Sequence, residues 1–298
     1  MYTVIEGNFS GNEYQNHFIG SDEKRRNNKT FIIDFPFTTG NYRVFYAKSA
    51  DILSNVCFAI ESLLKGDKTP NKSGLYKILI ESLLTVHHVN TKTRKSKLHG
   101  INSLSTSCLD NTFCLSRIKC NTSVCSHCYS ATQQKQQLAL QDRNTINGII
   151  LRNVVIPKSA WKKYFPVFDL SKYFRIESFG DVQNLNQCEN YINFMNAFPK
   201  THFAVWTKNY GIWEIAMDKN GQPKNMSYVI SSNEVNKPAT EIKSKYAHHI
   251  FTVYDKAYAK ANNIKITCGG RACMADCIQK KKGCYFRNTE RMQNEELK

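Results

Sequence analysis

The sequence predicts an α/β fold: an open, partial parallel barrel that is preceded by a small N-terminal α/β region. Three observations support this fold class. Six short segments after residue 100 have strand character, helical segments lie between most of them, and the first 95 residues follow a different pattern. Strands that alternate with helices are typical of parallel sheets with helical crossovers. Six such units are too few to close an eight-stranded barrel.

Residues 1–95 form the predicted N-terminal region. Two segments rich in aromatic and β-branched residues predict strands joined by a Thr-Thr-Gly turn, and apolar residues at helical spacing predict two helices. Cys57 belongs to the apolar face of the first helix, so we expect it to be packed rather than to bind a metal. The predicted strands are 30–37 and 41–47, and the predicted helices are 51–65 and 75–89.

Residues 96–298 form the predicted cysteine-rich partial barrel. Active sites of parallel α/β folds lie beyond the C-terminal ends of the strands, so we expect the residues that follow these strands to share one face. The predicted strands are 101–107, 173–179, 202–207, 226–232, 249–255 and 264–267. The predicted helices are 130–143, 185–198 and 210–219.

Composition and charge indicate which compartment and which class of partner to expect. The chain has 298 residues and a net charge of +17, which favours a polyanion such as nucleic acid or a nucleotide. The alternative is a basic surface without a specific partner. The N-terminus has no apolar signal-peptide core, and no apolar segment is long enough to span a bilayer. We therefore expect a cytoplasmic protein with no membrane partner.

Nine of the eleven cysteines fall in two compact groups. In a reducing compartment this clustering favours metal ligation over disulfides. A structural zinc site normally uses two close cysteine pairs, whereas irregular spacing suits an iron–sulfur cluster, because the loop must wrap around separated irons. Zinc, in one site or two, is the alternative. The first group is Cys108, Cys114, Cys120, Cys125 and Cys128, and the second is Cys268, Cys273, Cys277 and Cys284.

The end of the first group resembles the cluster loop of radical SAM enzymes. Cys120, Cys125 and Cys128 resemble its three cluster cysteines, and Tyr129 resembles the aromatic residue that follows them. The resemblance implies one 4Fe–4S cluster, or two if the second group holds another, with S-adenosylmethionine at an open iron and an electron donor as partner. The usual gaps are three and two residues, but here they are four and two. The third ligand position is therefore open among Cys108, Cys114 and Cys120.

A second resemblance covers about residues 97–285. KLHGINSLSTSCLDNTFC, CSHCYS, FRIESFGDVQN, FAVWTKN and the terminal cysteines are similar to the phage family known as gene product 88. The resemblance implies a viral or mobile-element protein in the host cytoplasm, with a radical-SAM-like barrel and no defined reaction. Phe179 stands where the family pattern has a small residue. The residues that do match the family pattern, in or after the strands, are Arg175, Gly180, Asp181, Thr207 and Lys208.

The radical SAM resemblance also implies roles at the strand ends. That family holds the cofactor's amino group with an acidic, glycine-rich stretch, which makes Glu177 and Asp181 candidates. The alternative for Asp181 is a cap of the next helix. Lys208 is expected either to bind a carboxylate or phosphate or to be solvated, and Arg175 needs an anionic partner if it points into the barrel. The predicted cofactor-binding residues are Tyr129, Glu177, Gly180, Asp181, Thr207 and Lys208.

These observations predict an iron–sulfur protein, with a radical-SAM-like enzyme acting on an unknown substrate as the leading hypothesis. The charge makes a nucleotide or nucleic acid the favoured substrate class. One alternative is a zinc-stabilised nucleic-acid-binding protein without catalytic activity. Another is a degenerate barrel that keeps a structural cluster and binds a host protein.

Overall fold

The computed structural model describes residues 3–7, 30–34, 41–44, 50–65, 72–88, 98–268, 273, 277–287 and 292–297. Within these ranges the strands form a three-stranded antiparallel sheet and a six-stranded parallel sheet. The six-stranded sheet is open, because its first and last strands do not pair with each other. The predicted open parallel α/β fold is therefore confirmed.

The small sheet consists of β1 (Thr3–Gly7), β2 (Thr30–Asp34) and β3 (Asn41–Val44). Its strands lie in chain order and pair antiparallel. The strands predicted from 30 and 41 are confirmed over their first halves, and the predicted turn between them lies outside the described residues. The sequence analysis did not predict β1.

Two helical segments follow the small sheet. Helix α1 (Ala50–Leu64) is the first, and α2 (Lys72–Lys77) continues into wider π-helical turns over Ile78–Leu83. Cys57 is buried, as predicted, and burial raises the pKa of its thiol to about 12. These segments share one apolar core with the helices of the large sheet. The division at residue 95 stays a prediction.

Each strand of the large sheet pairs in parallel with the next, in chain order. Five of the six predicted strands are present, although the first is only three residues long. The strands are β4 (Asn102–Leu104), β5 (Tyr173–Ile176), β6 (His202–Thr207), β7 (Met226–Ser231), β8 (His249–Tyr254) and β9 (Met292–Glu296).

The sixth strand is not the predicted segment 264–267. Residues Met292–Glu296 take that place and pair with β8 over five residues. Because β9 uses the edge of β8, the predicted segment reaches only the outer side of β9, where Thr267 and Cys268 donate backbone N–H groups to Asn294 O at 3.0 and 2.9 Å. The prediction for 264–267 was therefore wrong.

Seven helices follow the beginning of the large sheet in the described part of the chain. The predicted helix 130–143 is divided at Gln137, whose backbone (φ −120°, ψ 88°) leaves the helical region. No helix in the described ranges combines the length and apolar character that crossing a bilayer requires. The helices are α3 (Thr112–Ile118), α4 (Tyr129–Gln136), α5 (Leu138–Asn153), α6 (Lys158–Tyr164), α7 (Leu185–Ala197), α8 (Tyr210–Asn220) and α9 (Lys256–Ala261).

The two faces of the large sheet are covered differently. On one face, strand residues such as Ile176 and Val205 join the main core with helix residues such as Phe194 and Trp213. Side chains alternate along a strand, so the neighbouring residues face the other side. There the segment 277–287 covers the sheet. This segment carries part of the second cysteine group, which places those cysteines on the face without the main helical layer.

Candidate functional site

Four cysteines of the first group lie together at the C-terminal edge of the large sheet. Cys108 and Cys114 are buried, and the thiols of Cys108 and Cys128 are hydrogen bonded. Burial raises the pKa of Cys114, and the nearby charges of Asp181, Cys125 and Cys128 add to this rise. The structure therefore brings together four thiols, from the β4 loop, from α3, from the 3-10 turn Val124–His127 and from the residue before α4.

Cys120 lies apart from these four thiols. Its side chain is exposed, and its Sγ is 3.4 Å from Thr122 Oγ1. By sequence alone, Cys108, Cys114 and Cys120 compete for one ligand position. The structure places Cys108 and Cys114, rather than Cys120, beside the last two cysteines of the group.

Cys128 ionises more readily than a free cysteine. Its hydrogen bond with the Cys108 thiol lowers the pKa of Cys128 to about 6, and the backbone N–H groups of Ala131 and Ser130 add to this effect against the opposing influence of burial. The same pairing raises the pKa of Cys108. Cys128 is the residue before α4, where the helix start favours a thiolate, and the thiolate is the form that binds metals.

A buried ion pair holds the loop that carries Cys108. Arg152 of α5 places Nη1 2.8 Å from Asp110 Oδ1, and the two side chains are 1% and 7% exposed. Its Nη2 donates to Ser107 O at 3.2 Å. Burial raises the pKa of Asp110, and the Arg152 charge opposes the rise. Because both charges have left water, each depends on the other, and the loop is fixed against α5.

Asn111 positions Cys114. Its Oδ1 caps α3 by accepting the backbone N–H of Cys114 at 3.1 Å, an arrangement that asparagine favours. Its Nδ2 donates to Asp181 O at 2.6 Å. The start of α3 is thereby joined to the loop that follows β5.

Glu177 joins the ends of β4 and β5 from a buried position. Its Oε1 accepts from Gln187 Nε2 at 2.7 Å, from Tyr191 OH at 2.5 Å and from Thr106 Oγ1 at 2.8 Å, while Oε2 accepts from Thr106 N at 3.0 Å. Burial raises its pKa to about 7 against these hydrogen bonds. Its φ of 53° is strained for a residue with a side chain. The protein's own donors thus engage both oxygens.

Position 180 requires glycine, because the backbone of the β4 loop passes very close to it. A Cβ at this position would lie 2.6 Å from Thr106 O and 2.9 Å from Glu177 Oε2. Real Cβ atoms do not approach a backbone oxygen so closely, so a larger residue would push the β4 and β5 loops apart.

Asp181 connects the ends of β5 and β6. Its Oδ1 accepts from Thr207 Oγ1 at 2.6 Å, and its Oδ2 accepts from the backbone N–H of Lys208 at 2.8 Å. It does not cap α7, because Asn184 takes that role with Oδ1 3.1 Å from Gln187 N. The helix-cap alternative for Asp181 was therefore wrong.

Lys208 and Tyr129 complete this edge. Burial raises the pKa of Cys125, and the nearby Lys208 charge opposes that rise. The Tyr129 hydroxyl donates to Ser178 O at 2.7 Å, which ties the start of α4 to the β5 loop. The six predicted cofactor-binding residues thus meet beside the first cysteine group. Their role toward a cofactor stays a prediction.

The second cysteine group lies on the face covered by 277–287. Cys284 is buried against Val229 and Phe251. Burial raises the pKa of Cys284, and the charges of Cys268, Cys273 and Cys277 add to the rise. All four thiols of this group are therefore near one another.

Arg175 lies beside the second cysteine group and near Tyr129. Its Cζ is 3.3 Å from the centroid of the Trp206 ring, a cation–π contact. Its Nε atom is buried without a hydrogen-bond partner. Burial lowers the pKa of Arg175, and the nearby Tyr285, Tyr129, Cys284 and Cys273 oppose this fall. No carboxylate in the described ranges forms an ion pair with Arg175, so the expected anionic partner is not an acid of this part of the chain.

Comparison with known protein families identifies the relatives of this chain. The family model described as gene product 88 matches residues 66–294. The chain belongs to the gene product 88 family. The match includes both cysteine groups and every strand-end residue discussed above. No curated protein and no solved structure matches the chain.

The thiols of this gene product 88 family protein are the donors that iron and zinc prefer. Their placement is close but not that of a finished site: in the described part of the chain, no three His, Cys, Asp or Glu side chains are arranged to hold a metal ion. The donor chemistry therefore fits a cluster or a zinc ion.

Proposed function

We propose that the protein is an iron–sulfur protein with two cysteine-ligated centres. The observation that carries this proposal is the convergence of four thiols at the C-terminal sheet edge, with the exposed Cys120 left outside. The irregular spacing of both groups supports iron–sulfur over zinc. The proposed ligands of the first centre are Cys108, Cys114, Cys125 and Cys128, and those of the second are Cys268, Cys273, Cys277 and Cys284.

The surrounding charges are consistent with this proposal. Four thiolates give a centre a net negative charge, which buried or half-buried cations stabilise. Lys208 lies near the first centre, and Arg175 lies beside the second, where it has no carboxylate partner in the described ranges. An iron–sulfur centre would supply one-electron transfer at the strand ends. An electron donor is then the partner that this function requires.

A radical-SAM-like activity is the narrower form of the proposal. It requires an iron without a protein ligand, so one of the four thiols in the first group would have to stay free. Cys114 is the best candidate for the free thiol, because it lies near Asp181 and Glu177, the two acids proposed to face the cofactor. Their hydrogen bonds within the protein favour a positioning role for both acids.

The test is iron, zinc and acid-labile sulfide content after anaerobic purification, with the visible spectrum of the same sample. The wild type should be brown, with about eight irons and eight sulfides per chain if both centres are 4Fe–4S. Cys108→Ser and Cys284→Ser should each lose about half of both. Cys120→Ser is the matched control from the same loop and should keep both.

Three results would contradict parts of this proposal. A colourless protein that holds zinc and no sulfide, even after cluster reconstitution, would support the zinc-stabilised binding protein instead. Loss of iron in Cys120→Ser would refute the assigned ligand set. If Cys114→Ser keeps its iron and cleaves S-adenosylmethionine under reduction, the radical-SAM-like form stands; if the wild type cleaves none, that form fails.

A further inference from the structure

A cleft lies at the N-terminal edge of the large sheet, opposite the first cysteine group. The starts of β6 and β7 form one wall, and segment 277–287 forms the other. The cleft encloses about 340 Å³, which is in the range of sites for small ligands. Its lining residues are His202, Lys224, Asn225, Met226, Ser227, Lys281, Tyr285, Phe286 and Arg287.

The lining of this cleft carries positive charge and no acid. Lys224 and Lys281 are exposed, and neither forms an ion pair with a carboxylate in the described ranges. Arg287 donates Nε to Met226 O at 2.8 Å and Nη2 to Pro223 O at 2.7 Å. These bonds fix the guanidinium in place and use two of its five N–H donors. Three cations around one cleft favour a phosphate group.

Aromatic side chains stand beside these cations. The exposed His202 ring stacks on Tyr173 with centroids 5.3 Å apart and planes at 23°. Phe286 lies 6.0 Å from the same tyrosine ring. Cations interleaved with ring faces are the combination that binds single-stranded nucleic acid, where phosphates pair with the cations and bases stack. The net charge of +17 would attract such a strand from solution.

We propose that this cleft binds a phosphate of single-stranded nucleic acid, with Lys224, Lys281 and Arg287 as its donors and His202 as a stacking surface for a base. The cleft is distinct from the first cysteine group, which lies at the other end of the strands. Nucleic acid would therefore reach the sheet from the edge where β6 and β7 begin.

Two cysteines of the second group lie in the segment that forms one wall of the cleft. Segment 277–287 carries Cys277 and Cys284 together with Lys281 and Arg287. Lys282 N donates to Cys277 O at 2.8 Å, so the lysine turn is built directly on one thiol residue. Metal ligation by these thiols would fix the turn and hence the cleft. This coupling, unlike the cleft itself, rests on the proposed function.

The test is fluorescence anisotropy of a labelled oligothymidylate with the full chain at several salt concentrations. Lys224→Gln/Lys281→Gln should weaken binding by about tenfold or more, and the salt dependence should become shallower by about 1 to 1.5 in log–log slope. Lys162→Gln/Lys163→Gln removes the same charge from exposed positions of α6 and is the control. It should change affinity by less than about twofold.

The results separate the possible ligands and proposals. Equal weakening by both double variants, or no binding by the wild type, would overturn the phosphate site. If inorganic phosphate competes as fully as a mononucleotide does at the same concentration, the nucleic-acid assignment would also be overturned in favour of a small anion. If Cys284→Ser loses metal but binds normally, only the coupling fails. If the wild type holds no metal and the lysine effect persists, the proposed function fails and the cleft stands.

Discussion

The two cysteine groups differ in what holds them. The first is fixed by the protein itself, through the Arg152–Asp110 ion pair, the Asn111 cap and the Tyr129–Ser178 hydrogen bond. The second lies partly on segment 277–287, against the apolar face of the sheet, and three of its four cysteines are partly exposed. Sites that must act on a ligand need preorganised surroundings, whereas structural metal sites contribute to folding themselves. If both groups hold metal, as proposed, the difference favours chemistry at the first group and a structural role at the second.

Matched arginine substitutions should give the largest effect in this comparison. In metal-free protein, Arg152→Leu should lower the free energy of unfolding by about 3–5 kcal/mol, because it leaves Asp110 buried and unpaired. Arg175→Leu should change it by less than about 1 kcal/mol, because it removes a cation that lacks a carboxylate partner and costs only its ring contact. Urea denaturation measures both.

A double variant checks the reason for the loss. Arg152→Leu/Asp110→Leu removes both charges and should recover part of the stability, because no charge is then left buried alone. Equal losses for the two arginine variants would show that the first group owes its fixation to something other than the ion pair.

The sequence predicted the fold well where the pattern was strong. Segments such as HFAVWT and LNQCENYINFMNAF became β6 and α7 within a residue of the predicted bounds. It failed at β9, because MQNEE is polar and becomes a strand only through the free edge of β8. The sequence also predicted a strand at 264–267, which has β-branched residues but does not pair with the edge of β8. Strand formation here depends on tertiary pairing rather than on local propensity.

The cysteines and acids that meet at this edge were predictable from the sequence, but the contacts that hold them were not. Clustered cysteines and strand-end acids can be read from a sequence, since their types carry chemistry. Arg152 and Asp110 are 42 residues apart in the chain, and nothing in their local pattern links them. Among these supporting residues, Asn111 alone has a local sequence signal, because asparagine is a preferred residue at a helix start. Only the fold could show that Cys120 points away.

A pair of glycine substitutions gives the next effect in size. Gly180→Ala should cost about 1–3 kcal/mol, because its Cβ would overlap the backbone oxygen of Thr106. Gly211→Ala in α8 meets no atom within 4 Å and should stabilise the protein by about 0.5–1 kcal/mol. Thermal unfolding distinguishes them by sign. A neutral Gly180→Ala would mean that the first group is looser than its contacts indicate.

Metal removal should separate the two groups by local stability. On chelation we expect amide hydrogen exchange to accelerate by about tenfold or more across 277–287 and by less than about twofold across 105–116. The first loop keeps its hydrogen bonds without metal, and the second loses the metal that is proposed to fix its turns. Restoring metal should reverse the change. Equal acceleration in both segments would remove the distinction between a preorganised and a metal-ordered group.

The last comparison is the pH dependence contributed by Glu177. Its pKa is raised from 4.5 to about 7 in the folded protein, so the folded state binds more protons than the unfolded state between these values. Stability from this group is therefore fully present below about pH 4.5 and is lost as pH rises through 7, by less than about 1.4 kcal/mol per pH unit. Urea titrations of wild type and Glu177→Gln between pH 5 and pH 8 isolate the effect, since the variant cannot titrate there. A difference that does not fall with pH would mean that Glu177 is ionised in the fold, as a carboxylate held by Thr106 and Tyr191 against its burial.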